Sequence, residues 1–168
     1  MIDNDQVRNL EVEQLVAFAV FVEESNIGLF YGWANRLRPF DLELVELMVE
    51  LATDARHYRD TLYETGMRVF SHELPDPRPD WYSLVQSGPV LSDDHYFVIN
   101  EREANSILNA ALARQQDTIE LLTRVDDALR REYANQADFH TSSIGTRSKH
   151  NNLLRERIGP PTPIIRLQ

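Results

Sequence analysis

Glu24-Ser25-Asn26-Ile27-Gly28-Leu29-Phe30-Tyr31 and, after the next turn, Asp54-Ala55-Arg56-His57 put carboxylates and an imidazole into two stretches otherwise patterned as apolar helices. Around the first, Leu15, Phe18, Val20, Phe21, Ile27, Phe30, Tyr31 and Ala34 recur at helical spacing, which predicts a helix over about residues 9 to 37. Arg38-Pro39-Phe40-Asp41 ends it, because Pro39 removes a backbone donor and restricts the residue before it, while Asp41 can cap the next helix. That second helix runs from about 41 to 70, with Leu44, Leu47, Met48, Leu51, Ala55, Tyr58 and Leu62 as its buried stripe. So short a turn makes the two helices an antiparallel hairpin.

Residues 73–99 have a different character. Pro75, Pro77, Pro79 and the Ser87-Gly88-Pro89 turn forbid a helix, yet Trp81, Tyr82, Leu84 and Val85 are apolar enough to pack, so the segment reads as a long ordered connector. A third helix is predicted over about 101 to 125, with Ile107, Leu108, Ala111, Leu112, Gln115, Ile119 and Leu122 on one face. Asp126 or Asp127 is expected to cap a fourth, over about 128 to 158, facing inward through Leu129, Tyr133, Ala137, His140, Ile144 and Leu154. Two hairpins joined by one long crossover describe an all-α, ferritin-like four-helix bundle over residues 1–158. A Pro-rich tail, 159–168, comes after it, and Ile164, Ile165 and Leu167 make its end apolar.

Composition narrows the chemistry. The 168 residues fit one domain and contain no cysteine, so thiolate chemistry, disulfides and Cys-ligated metals are excluded and a metal would need carboxylates and His. The formal net charge of −10 argues against nucleic acid as a partner. The basic stretch Arg147, Lys149, Arg155 and Arg157 reads as cations near a helix C-terminus. There is no run of about 18 apolar residues, so no membrane span is expected, and the acidic start Met1-Ile2-Asp3-Asn4-Asp5 does not look like a secretory signal, so a cytoplasmic location is expected.

Glu24 falls beside Phe21, Ile27 and Tyr31, which points it at least partly inward, and a buried carboxylate needs a cation, a metal or a proton. Counted from the turn at Pro39, Glu24 lies about fifteen residues back and Asp54 and His57 about fifteen and eighteen forward, so all three share one height. Glu24 with Tyr31 seven later, and Asp54-Ala55-Arg56-His57, resemble the ferritin-like superfamily, in particular its rubrerythrin-like members and hairpin-type encapsulated ferritins. In that family each hairpin supplies one Glu and one Glu-x-x-His to a pair of iron or manganese ions. The resemblance implies metal ligands Glu24, Asp54, His57, His140 and Gln115, with Gln136 a further neutral donor, and Fe(II) oxidation or O2 or peroxide reduction at the centre. Asp54 stands where the family has Glu, Gln115 stands at the third-helix Glu position, and Ala137 precedes His140 where Glu is expected.

A second reading needs no metal. Glu24, Asp54 and His57 then form a hydrogen-bonded polar cluster with Arg114 or Arg56, and the bundle acts as a non-catalytic scaffold, adaptor or sensor. Tyr31 and Tyr58 read as core aromatics, His72, His95 and His150 as surface residues, and Glu43, Glu46 and Glu50 as a solvated stripe. Phe18, Val22, Leu29 and Trp33 leave the first helix apolar nearly all round, which predicts a homo-oligomer, at least a dimer, and the tail 160–168 is a candidate segment for a protein partner.

Overall fold

The computed structural model describes residues 7, 9–85, 96–133 and 141–158, with 141–144 described as backbone only. Its elements are α1 (Val12–Leu37), α2 (Leu42–Phe70), a single turn α3 (Trp81–Leu84), α4 (Glu101–Glu132) and α5 (Thr141–Arg157); among the described residues there is no strand, so the chain is all-α. The α1–α2 turn forms as expected. Phe40 N–H and Asp41 N–H both return to the Leu37 carbonyl, at 2.8 and 3.0 Å. The Asp41 carboxylate then accepts from the Glu43 and Leu44 amides at 2.8 and 3.2 Å, a cap worth about 1 kcal/mol. At its far end α2 stops at Ser71, whose left-handed φ of 61° lets its N–H reach the Met67 carbonyl at 3.0 Å.

Long-range contacts fix the direction of each helix. Thr118 and Arg114 of α4 meet Asn26 of α1, and Val98, just before α4, donates to the Arg36 carbonyl near the end of α1. Thus α4 runs antiparallel to α1. Along α5, Arg147 lies on Tyr58, His150 beside Asp54 and Arg157 on Glu43, so α5 descends α2 in reverse. The order is up, down, down, up, with residues 71–100 joining the two helices, α2 and α4, that run the same way.

One expected boundary is corrected. The third helix does not stop at Asp126: α4 continues to Glu132, and Tyr133 N–H closes its last turn on the Leu129 carbonyl. The buried seam Leu121, Leu122, Val125, Ala128 and Leu129 passes through the position without interruption, and Asp126 pairs with Arg130 one turn on instead of capping. Leu129 therefore belongs to α4, and Tyr133 caps its C-terminal end. Gln136, Ala137 and His140, and the tail 159–168, lie outside the described residues, so α5 is described only from residue 141.

The core has two apolar halves. Val16, Phe18, Val22, Leu62, Trp81, Leu122, Val125 and Leu129 pack at one end, and Phe30, Trp33, Leu37, Met48, Leu51, Ile107, Leu108 and Leu154 at the other. The connector takes part in the first half: Trp81 is 1% exposed and meets Phe18 edge-on with ring centroids 5.3 Å apart. It therefore covers α1 at Phe18 and Phe21; Phe18, Val22 and Trp33 are buried within the chain, while Leu29 is only partly buried. By length and composition α1 is also apolar enough to cross a bilayer, though more than half of that apolar window is buried inside this fold.

Candidate functional site

Between the two apolar halves lies a belt of buried polar side chains. Its origin is a seam on α1 at alternating steps of four and three: Val16, Ala19, Glu23, Asn26, Phe30, Trp33 and Leu37, each no more than 5% exposed. Such spacing keeps one line of residues facing the same neighbours. Two of the seven are polar, Glu23 and Asn26, both fully buried. On α4 the same level carries Arg114, Gln115 and Thr118, and on α5 it carries Arg147, His150 and Asn151.

Arg147 holds the belt together. Its guanidinium donates from Nη2 to Glu23 and from Nη1 to Gln115 Oε1, and sits 4.8 Å from the centroid of the Tyr58 ring. Asn26 donates to the other Glu23 oxygen at 3.1 Å and to Thr118 Oγ1 at 3.2 Å, while its own carbonyl accepts from Arg114 Nε. Arg114 also donates to Ser25 Oγ at 3.1 Å, which links the belt to the molecular surface. Burial pushes the Glu23 carboxyl above the usual carboxylate range, with Arg147 and Asn26 pulling against it. Burial likewise lowers the Arg114 guanidinium, opposed by Asp117 and Glu23, and raises the Tyr58 hydroxyl, opposed by its hydrogen bond with Thr146.

The structure disperses most of the expected metal ligands. Glu24 is exposed and pairs with Arg59 on the surface, because one residue beyond Glu23 is a rotation of about 100° off the seam. His57 is also exposed, and among the described residues its ring meets that of Tyr58, at 5.7 Å between centroids. Gln115 does face the centre, but its Oε1 is bonded to Arg147. Asp54 is half-buried with Oδ2 3.4 Å from His150 Nδ1, off the hydrogen-bonding angle, so both atoms stay unmatched among the described residues. His140 lies outside the described residues. Among those described, no three or more Asp, Glu or His side chains converge as a metal site, and the buried Glu23 carboxylate is paired with the Arg147 guanidinium.

Other expectations fare unevenly. Arg114 is in the buried cluster, as the metal-free reading allowed, but through Asn26 and Ser25 rather than Glu24. Arg56 instead stacks over Tyr31, 5.8 Å from its centroid. His150, read as a surface residue, is 9% exposed, and Arg147, read as one of several cations near a helix C-terminus, is 1% exposed. Glu43, Glu46 and Glu50 are exposed as expected. Because the Glu24–Arg59 pair is solvated, Glu24→Ala is expected to change the unfolding free energy by less than about 1 kcal/mol in urea titration. A loss of several times that would mean Glu24 reaches the interior.

A second concavity lies outside the belt. It is a groove of about 540 Å³ between α1, the C-terminal half of α2 and residues 73–82, and Ser25 lines it. Compared with family models, curated proteins and solved structures, the chain has no match.

Proposed function

We propose that the protein is a non-catalytic four-helix bundle of the ferritin-like kind that acts by association, as a scaffold, adaptor or sensor. The observation that carries this reading is Arg147, buried at mid-height and bonded to Glu23 and Gln115, where a metal-loaded member of that family would hold its ions. The up, down, down, up order with the long connector between parallel helices supports the fold assignment. Exposed Leu42, Tyr96, Phe97 and Ile99, 50–67% exposed and lying next to helix ends, supply apolar surface for a partner, a second copy of the chain included.

A competing reading, metal binding with Fe(II) oxidation, draws on Asp54 and His150, an unmatched carboxylate and imidazole 3.4 Å apart. Elemental analysis after reconstitution with Fe(II) or Mn(II) separates the two. The association reading expects no stoichiometric metal in the wild type and a concentration-dependent sedimentation profile that is lost in Phe97→Ser/Ile99→Ser. Stoichiometric iron or manganese that disappears in Asp54→Ala or His150→Ala would overturn it, as would a strict monomer at all concentrations with no metal bound.

A further inference from the structure

We propose that the groove between α1, α2 and the connector binds an organic cation with an apolar or aromatic body. This does not depend on how the bundle centre is used. The groove's volume of about 540 Å³ falls in the range of small-molecule sites. Its walls are Phe21, Tyr63, Leu74 and Tyr82, with the Phe21 and Tyr82 rings edge-to-face at 4.9 Å. Tyr63 and Tyr82 are 42% and 66% exposed, so two large aromatic surfaces stand open to an occupant. Gly66 gives the Leu74 side chain room against α2: a Cβ there would lie 2.7 Å from Leu74 Cδ2, so a larger residue would have to displace that side chain.

The charge of the groove selects the occupant. Three carboxylates line it, Glu24, Glu73 and Asp76, against one cation, Arg59. Arg59 is already committed, with Nη1 on Glu24 and with Nε and Nη2 on Asp60 at 2.9 and 2.6 Å. Glu73 and Asp76 are exposed at the rim, and neither carboxylate has a cationic partner among the described residues. An anion would meet this pair, and a neutral apolar body would leave it unused. A protonated amine can sit between the two carboxylates and over a tyrosine face, where ring and charge attract it together. The chain's net charge of −10 adds a long-range attraction of the same sign.

The test uses the full chain and three probes of nearly one shape: 3-phenylpropylammonium, 3-phenylpropan-1-ol and 3-phenylpropanoate. Binding is followed by NMR shifts of the Phe21, Leu74 and Tyr82 amides. The ammonium is expected to bind about tenfold or more tightly than the alcohol, to weaken with added salt, and the carboxylate to bind weakest. Glu73→Gln/Asp76→Asn, both exposed, should bring the ammonium down to the alcohol's affinity and leave the alcohol unchanged. Equal binding of ammonium and alcohol would show a merely apolar groove. Preference for the carboxylate would make Arg59 the anchor, and no saturable shift with any probe into the millimolar range would remove the site; each of these overturns the proposal.

Discussion

Arg147→Met is expected to lower the unfolding free energy by about 3–5 kcal/mol, because it leaves Glu23 fully buried without its directly bonded cation and strips Gln115 of its partner. The penalty has a defined pH dependence. Burial already holds the Glu23 pKa above its ordinary value of 4.5. A carboxyl raised in this way binds its proton more tightly in the folded than in the unfolded chain. Its stabilising contribution is therefore complete below the unfolded pKa and is lost as pH rises through the folded one. Losing Arg147 removes the largest influence that lowers that pKa, so the folded value climbs and the sensitive window widens. The difference between wild type and Arg147→Met should thus be small near pH 4 and grow as the pH is raised, as read by urea unfolding across that range. A difference that does not vary with pH would mean Glu23 is not the group left stranded. Glu23→Leu/Arg147→Met, which removes both charges together, should recover most of the loss, since apolar replacements of a buried pair are often neutral or stabilising.

Trp81→Ala should cost a similar amount, about 3–5 kcal/mol, for a different reason. Trp81 fastens the connector to α1 through Phe18 and Phe21, with centroids at 5.3 and 6.0 Å, and truncation leaves a cavity that the four-residue α3 is poorly placed to fill. Trp81→Phe keeps most of that packing and deletes a buried Nε1–H that has no acceptor among the described residues, so it should fall within about 1 kcal/mol of wild type. Equal losses for Ala and Phe would show that the indole N–H, not the ring, carries the contact. Trp81→Ala should also shift the Leu74 and Tyr82 resonances, because the residues that wall the groove depend on the same anchor.

The helices that carry strong local punctuation were legible in the sequence. Pro39 and Asp41 located the first turn, and Leu44 through Leu62 gave the buried face of α2 correctly. The Asp126 cap was misleading because Asp is compatible with a helix interior when an Arg stands four residues later, and the apolar seam on both sides outweighed it. The site was harder to read because α1 is apolar on nearly every side, so apolarity alone cannot pick the inward face. The four-and-three seam is present in the sequence, but Glu23 and Asn26 interrupt it at mid-helix, and the neighbouring Glu24 has apolar residues at helical spacing too, which displaces the inward carboxylate by one residue. On α5 the described inward positions Arg147, His150, Asn151 and Leu154 are mostly polar, so among the described side chains the helix presents no apolar stripe.

The polar belt also bears on alignment. The α1 seam repeats every seven residues, so sliding α1 by one heptad would keep the same line of residues facing its neighbours. What such a slide cannot preserve is the pairing of Glu23 with Arg147 and of Asn26 with Thr118. It would carry Glu23 into the layer of Phe30 or of Val16 and leave Arg147 facing an apolar side chain. The belt works as a detent, adding little to the depth of the native state while making the neighbouring settings costly. The doubly apolar variant that matches the wild type in stability is then the one expected to show additional α1 resonances, from helices seated one heptad out of place.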